Sequence, residues 1–115
     1  MAPQYDFSAF IDRLGGDMEF VAECIELFEQ EAPAALASVR DAVAGGSADL
    51  VSNAAHALKG MAGNFSAAGP AATAARLDRL ARDGDLSEAA ALMSRLEAEV
   101  PELVAALRPL KTPSS

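Results

Sequence analysis

Only one of the 115 residues is cysteine, Cys24. A single thiol makes neither an internal disulfide nor a multi-thiolate zinc site, which fits a reducing compartment. Its place within an apolar stripe predicts a buried structural side chain. Strand formers are scarce as well: valine, isoleucine and threonine together fill 10 positions, against 27 alanines and 13 leucines. That balance argues against a sheet and predicts an all-helical chain. Basic residues are few. Nine of them against seventeen acidic residues leave a net charge of −8, and a surface that negative repels phosphate backbones and anionic lipid. Neither nucleic acid nor a membrane is expected as a partner. No uninterrupted apolar run approaches the roughly 20 residues of a membrane span, and no basic stretch followed by an apolar run opens the chain as a secretory signal would. A cytoplasmic protein is expected. The sequence also lacks a glycine-rich phosphate loop of P-loop or kinase type, and its length leaves no room for a separate nucleotide-binding domain. It should not phosphorylate itself from ATP.

What is present is enough apolar material for one core, at 51% of residues, so a single domain over 1–115 is expected. Its core should span about 6–108, with a frayed tail at 111–115. Glycine and proline divide the chain into helical segments with short connections, the pattern of an antiparallel bundle. A short helix over Asp6 to Leu14 stops at Gly15-Gly16. Asp17 then caps a long helix in which Met18, Val21, Ile25, Phe28 and Leu36 recur at helical spacing, with a kink expected at Pro33 and an end at Gly45-Gly46. Ser47 caps the next. A helix from about Ala71 to Arg82 should bury Leu77 and Leu80 and show Arg76, Arg79 and Arg82 to water. Asp85 and Glu88 have the spacing of a capping box for a last long helix through Leu92, Leu96, Val100, Leu103 and Leu107, bent at Pro101. The fold class expected is all-α: an antiparallel four-helix bundle with a short additional N-terminal helix.

The chemistry concentrates in the helix after Ser47. On a wheel of about 100° per residue, Leu50, Ala54, Leu58, Met61 and Phe65 share one arc, read as the core face. His56, the only histidine, falls nearly opposite, with Ser52, Gly60 and Gly63 on its side, and should point into solvent. Lys59 and Gly60 follow it by three and four residues and are its neighbours on the helix surface. Each glycine costs about 1 kcal/mol relative to alanine inside a helix. On a face where no helix of the same bundle should pack, clearance for an external partner is the better account of both. Ser52, Gly63 and Asn64 are then candidates for contact with that partner.

One histidine without a second histidine or a cysteine nearby is a poor metal site, and no metal ligand is expected. A serine-histidine pair without a third residue to orient it is a poor nucleophilic triad. The imidazole itself remains. Its ordinary pKa of about 6.5 leaves it substantially neutral at pH 7, and a neutral imidazole can attack phosphorus.

The run Ala55-His56-Ala57-Leu58-Lys59-Gly60-Met61-Ala62-Gly63 resembles the phosphorylation-site helix of histidine-containing phosphotransfer (HPt) domains, whose hallmark is H-x-x-K-G. The resemblance extends without gaps to Leu77-Asp78, where the family commonly has Leu-Glu, and back through Phe28, Glu31 and Pro33. It implies a four-helix bundle that accepts a phosphoryl group on His56 from a receiver-domain aspartate and passes it to another. It further implies that Lys59 lies beside the phosphoryl group and that Gly60 leaves space for it. The implied partners are response-regulator receiver domains and a hybrid histidine kinase, with the chain itself a monomer. No resident cofactor is implied; a divalent metal, magnesium, would come with the receiver. Ser66 stands where the family usually has glycine, Pro70 where an apolar residue is common, and Asp78 where glutamate is typical. The competing expectation is a helical adaptor that binds a signalling partner through the His56 face without chemistry; a dimerisation bundle is a third.

Overall fold

Local hydrogen-bond chemistry sets most of the helix boundaries in the computed structural model, which describes residues 5–111. Five helices run in order, α1 (Ser8–Arg13), α2 (Met18–Gly45), α3 (Ala48–Gly63), α4 (Ala68–Arg82) and α5 (Ala89–Lys111), and the described residues contain no strand. Asp17 caps α2, its Oδ1 accepting from the backbone N–H groups of Glu19 and Phe20. Ser47 caps α3 by accepting from the N–H of Leu50. Both caps satisfy donors that the first helical turn leaves orphaned.

The first four helices end alike. A residue just past each last turn takes left-handed backbone: Gly15, Gly46, Ser66 and Gly84, with φ of 67, 70, 58 and 75°. The N–H after it reaches back five positions, from Gly16 to Ile11, Ser47 to Ala42, Ala67 to Ala62 and Asp85 to Leu80. This termination reverses the chain while occupying free carbonyls, and glycine adopts it without steric cost. Ser66 is the exception among the four.

Several expected boundaries move. The first helix starts at Ser8, because the Asp6 carboxylate takes the Ser8 N–H and hydroxyl. The fourth starts at Ala68, with Pro70 in its first turn where no backbone donor is needed. Glu88 closes no capping box: Asp85 accepts from the N–H and hydroxyl of Ser87, Glu88 pairs with Arg76, and α5 begins one residue later. Both α2 and α5 continue as single helices through Pro33 and Pro101. At the expected frayed tail, Lys111 is still helical and bonds Glu29 of α2; residues 112–115 lie outside those described.

The four long helices form a ring in which α2 packs on α3 and α5, and α4 on α3 and α5. Ion pairs show that α2 and α5 are antiparallel, since Glu29 meets Arg108 while Arg40, further along α2, meets Glu97, earlier in α5. The interior holds Val21, Ile25, Val39, Leu58, Leu96 and Leu103, each without measurable exposure. Phe10 brings α1 across one end, its ring edge-on to Phe65 at 4.8 Å, and Phe65 in turn lies 5.0 Å from Phe28. That aromatic cluster pins the turn after α3. Buried Thr73 donates its hydroxyl to Glu99 of α5 at 2.6 Å, with the Gly69 carbonyl 3.1 Å away, so the hydroxyl is satisfied.

The core face of α3 is rotated from the expected arc. Val51, Ala55, Leu58 and Ala62 are fully buried, whereas Leu50 is 58% exposed and Ala54 and Met61 are half-buried. Phe65 is buried but lies beyond the end of the helix. Ala55 and Ala62 let α3 and its neighbours approach closely around Leu58, while Leu50 and Met61 are left at the margin. Leu50 and Ala54 border a shallow groove against Ala35 and Ala42 of α2. On α4, Leu77 is buried and Leu80 only half so.

Candidate functional site

The rotation of α3 carries His56 from the far side of the helix toward α4. His56 is 62% exposed in its side chain, yet its Nδ1 lies 3.3 Å from Oδ2 of Asp78, a residue of α4 whose side chain is 3% exposed. Ser52, one turn before His56, donates its hydroxyl to Oδ1 of the same carboxylate at 2.6 Å. Arg82, one turn after Asp78, donates Nε to Oδ1 at 3.1 Å and Nη2 to Oδ2 at 2.7 Å. One buried carboxylate therefore joins two positions of α3 to one of α4.

Burial pushes the Asp78 carboxyl up, but the hydrogen bonds from Ser52, Arg82 and His56, helped by the Arg82 charge, outweigh it and hold the group below the usual aspartate range. Asp78 is an anion at neutral pH. A neutral imidazole beside that anion keeps its proton on Nδ1, the nitrogen facing Oδ2, and this leaves the lone pair of Nε2 free on the opposite edge of the ring.

Ser52 and His56 do sit on one face, and Asp78 supplies the third group that the sequence does not place near them. The order is wrong for a serine nucleophile: the hydroxyl proton points to Asp78 and not to the imidazole, so His56 cannot remove it. The imidazole is the exposed base of the cluster. The described residues hold no group of three histidine, cysteine, aspartate or glutamate side chains spaced to bind a metal ion.

Lys59 is half-buried one turn beyond His56 and forms no ion pair with a described residue. Gly60 and Gly63 are exposed, and a Cβ built on either meets nothing within 4 Å. Open space lies above both. Asn64 is exposed, and its backbone carbonyl accepts from Arg13 of α1. Ser52, by contrast, is half-buried with its hydroxyl committed to Asp78. Of the three arginines expected to face water, all are exposed; Arg76 holds Glu88 and Arg82 holds Asp78, while Arg79 pairs with none of the described residues. Cys24 is half-buried rather than buried, on the wall of an apolar groove of about 370 Å³ shared with Phe10, Leu27 and Met61.

Asp78 is the residue of the cluster that periodicity overlooked. Its signal was present as a carboxylate directly after the core residue Leu77 and four before Arg82, at the edge of an otherwise apolar face.

Residues 23–107, which run from within α2 nearly to the end of α5, match the model of the Hpt domain family. Neither the comparison with curated proteins nor that with solved structures gives a match.

Proposed function

The chain belongs to the Hpt domain family, the histidine phosphotransfer modules of phosphorelays, and we propose that its phosphoryl acceptor is Nε2 of His56. The carrying observation is the pairing of exposed His56 with buried, ionised Asp78. It supports an imidazole whose proton is parked on the inner nitrogen and whose outer nitrogen is a ready nucleophile.

In this reading Nε2 attacks the phosphorus of a receiver aspartyl phosphate while the P–O bond to the receiver carboxylate breaks, and that carboxylate departs as an anion. Attack leaves positive charge on the ring, which the Asp78 anion at Nδ1 offsets. In onward transfer a second receiver carboxylate attacks the same phosphorus, the P–N bond breaks, and its electron pair returns to Nε2. Lys59 lies one turn from the nucleophile and is free to neutralise phosphoryl oxygens. The open space at Gly60 and Gly63 admits the receiver's acidic pocket. Asp78 has both oxygens engaged by three side chains, so the carboxylate beside His56 does not fit a resident metal. The divalent cation used in phosphoryl transfer, magnesium, would belong to the receiver. The chain then carries phosphate without a nucleotide site of its own, between receiver domains and a hybrid histidine kinase.

Incubation with a phosphorylated receiver domain tests this directly. Wild type should acquire acid-labile phosphate and His56→Gln, correctly folded, none. Undiminished labelling of His56→Gln would overturn the assignment and leave the same face as a docking surface without chemistry.

A further inference from the structure

The shortest and the longest hydrogen bonds of the cluster lie on the same carboxylate. Ser52 Oγ reaches Asp78 Oδ1 at 2.6 Å, and His56 Nδ1 reaches Oδ2 at 3.3 Å. Between them Arg82 grips both oxygens, but it does so from α4, four residues along from Asp78, with a side chain 61% exposed. That bidentate grip holds the charge on Asp78, but it comes from the helix that carries Asp78 and does not tie the carboxylate to α3. Ser52 is the one group of α3 besides His56 that bonds Asp78. It stands four residues before His56, so its hydroxyl and the imidazole are neighbours on the same helix surface.

We propose that Ser52 is a positioning residue for the imidazole: its hydroxyl ties Oδ1 of Asp78 to α3 and thereby turns Oδ2 onto Nδ1 of His56. The serine acts through the carboxylate and never touches phosphate or partner. A short serine donor also suits the short side chain at 78, since aspartate reaches α3 with little to spare and any rotation about its terminal torsion takes Oδ2 off the ring. With the hydroxyl removed, Asp78 keeps its charge through Arg82 but loses its aim, and the neutral ring redistributes its proton toward Nε2, the nitrogen that must be bare to attack.

This inference rests on the acceptor role of His56 for its consequence in transfer, but its first readout needs no phosphate. Nitrogen-15 spectra of the His56 ring, recorded where the imidazole is neutral, should show the Nδ1-protonated form dominant in wild type. Ser52→Ala should shift a clear share to the Nε2-protonated form, and Ser52→Thr, which keeps a hydroxyl, should restore it. Transfer from a phosphorylated receiver at saturating concentration should slow roughly three- to tenfold in Ser52→Ala, the scale of one lost hydrogen bond, with the half-saturating receiver concentration unchanged. A wild-type ring spectrum in Ser52→Ala would overturn the proposal. So would a defect confined to the half-saturating concentration, which would make Ser52 a partner contact. If wild type took no phosphate, the acceptor role would fail, and the ring spectra would still decide what Ser52 does.

Discussion

Oδ2 of Asp78 lies 3.3 Å from Nδ1 of His56, and the two side chains are 3% and 62% exposed. A charge hidden in the α3–α4 seam thus acts on a base that faces solvent, and from behind it orients the ring proposed as the phosphoryl acceptor. Because Asp78 is also held by Ser52 and Arg82, its loss affects both the fold and the site.

Asp78→Asn should show both effects. The substitution keeps the shape but turns an amide N–H₂ toward at least one donor and takes the charge and one of two acceptors from Arg82. Loss of such bonds at a buried position costs about 1–3 kcal/mol at neutral pH, measurable as a lower urea midpoint. The pH dependence has a definite sign. Asp78 is held below the ordinary range in the fold, so its contribution is complete above the unfolded-state value of about 3.9 and is lost as pH falls through the folded value. Glu29, held by Lys111 and Arg108, behaves with the same sign, as do Asp6 and Asp85 beside their serines. The difference between wild type and Asp78→Asn isolates the Asp78 part: it should be largest near neutrality and narrow below about pH 4. A gap that stays constant with pH would mean that shape, not charge, is what Asp78 supplies.

Ser66→Gly should stabilise the protein. Ser66 occupies the left-handed position that glycine fills at the ends of α1, α2 and α4, with φ at 58°. Relief of that backbone cost is on the order of 1 kcal/mol, partly offset by the greater freedom of glycine in the unfolded chain. The turn lies beyond His56 on the same stretch of chain, so transfer should be unchanged. A lower melting temperature for Ser66→Gly would show that the serine side chain contributes something the turn geometry does not require.

That turn also illustrates what was legible in the sequence. Gly15-Gly16, Gly45-Gly46 and Asp83-Gly84 marked three helix ends because a helix stop needs one residue with a particular backbone freedom, a local property. The caps at Asp17 and Ser47 were readable for the same reason. The phase of α3 was not. Leu50 and Met61 dominate any reading by residue size, but close packing is made by Ala55 and Ala62, which look neutral on a wheel. The consequence reached the site: a core face placed too far toward α2 turned His56 squarely outward and hid its approach to α4. Asp78 could not be recovered from periodicity, because its meaning lies in a contact 22 residues from His56 across two helices. The H-x-x-K-G run was recognisable regardless, since its spacing lies within one helical turn.

Lys59→Ala should separate chemistry from stability. The ammonium forms no ion pair with a described residue, so its removal should change the unfolding free energy by less than about 0.5 kcal/mol. Transfer from a phosphorylated receiver should slow by about tenfold or more, as expected for loss of a cation beside developing phosphoryl charge. Lys59→Arg should recover part of the rate, and added salt should weaken the wild-type advantage. Equal rates for wild type and Lys59→Ala would reduce Lys59 to a solvated surface residue.

Gly60 gives the sharpest contrast, because packing and clearance predict opposite signs. A Cβ at this position meets no atom within 4 Å, and the backbone is ordinary helix. Gly60→Ala therefore adds a better helix former at no steric cost and should stabilise the protein by roughly 0.5–1 kcal/mol, read as a higher urea midpoint. Were Gly60 seated against another helix, the same change would overpack it and cost about 1–3 kcal/mol. Function should move the other way as the side chain grows. Gly60→Glu should keep the fold, but it fills the open space one turn from His56 and sets a carboxylate where the proposed acceptor role brings a phosphoryl group, so transfer should fall steeply by both steric and electrostatic exclusion. Gly60→Gln fills the same volume without the charge and measures the steric part alone. A stabilised Gly60→Ala together with a slow Gly60→Glu would mean that the helix gives up stability at this position to let a partner's acidic pocket reach Nε2 of His56.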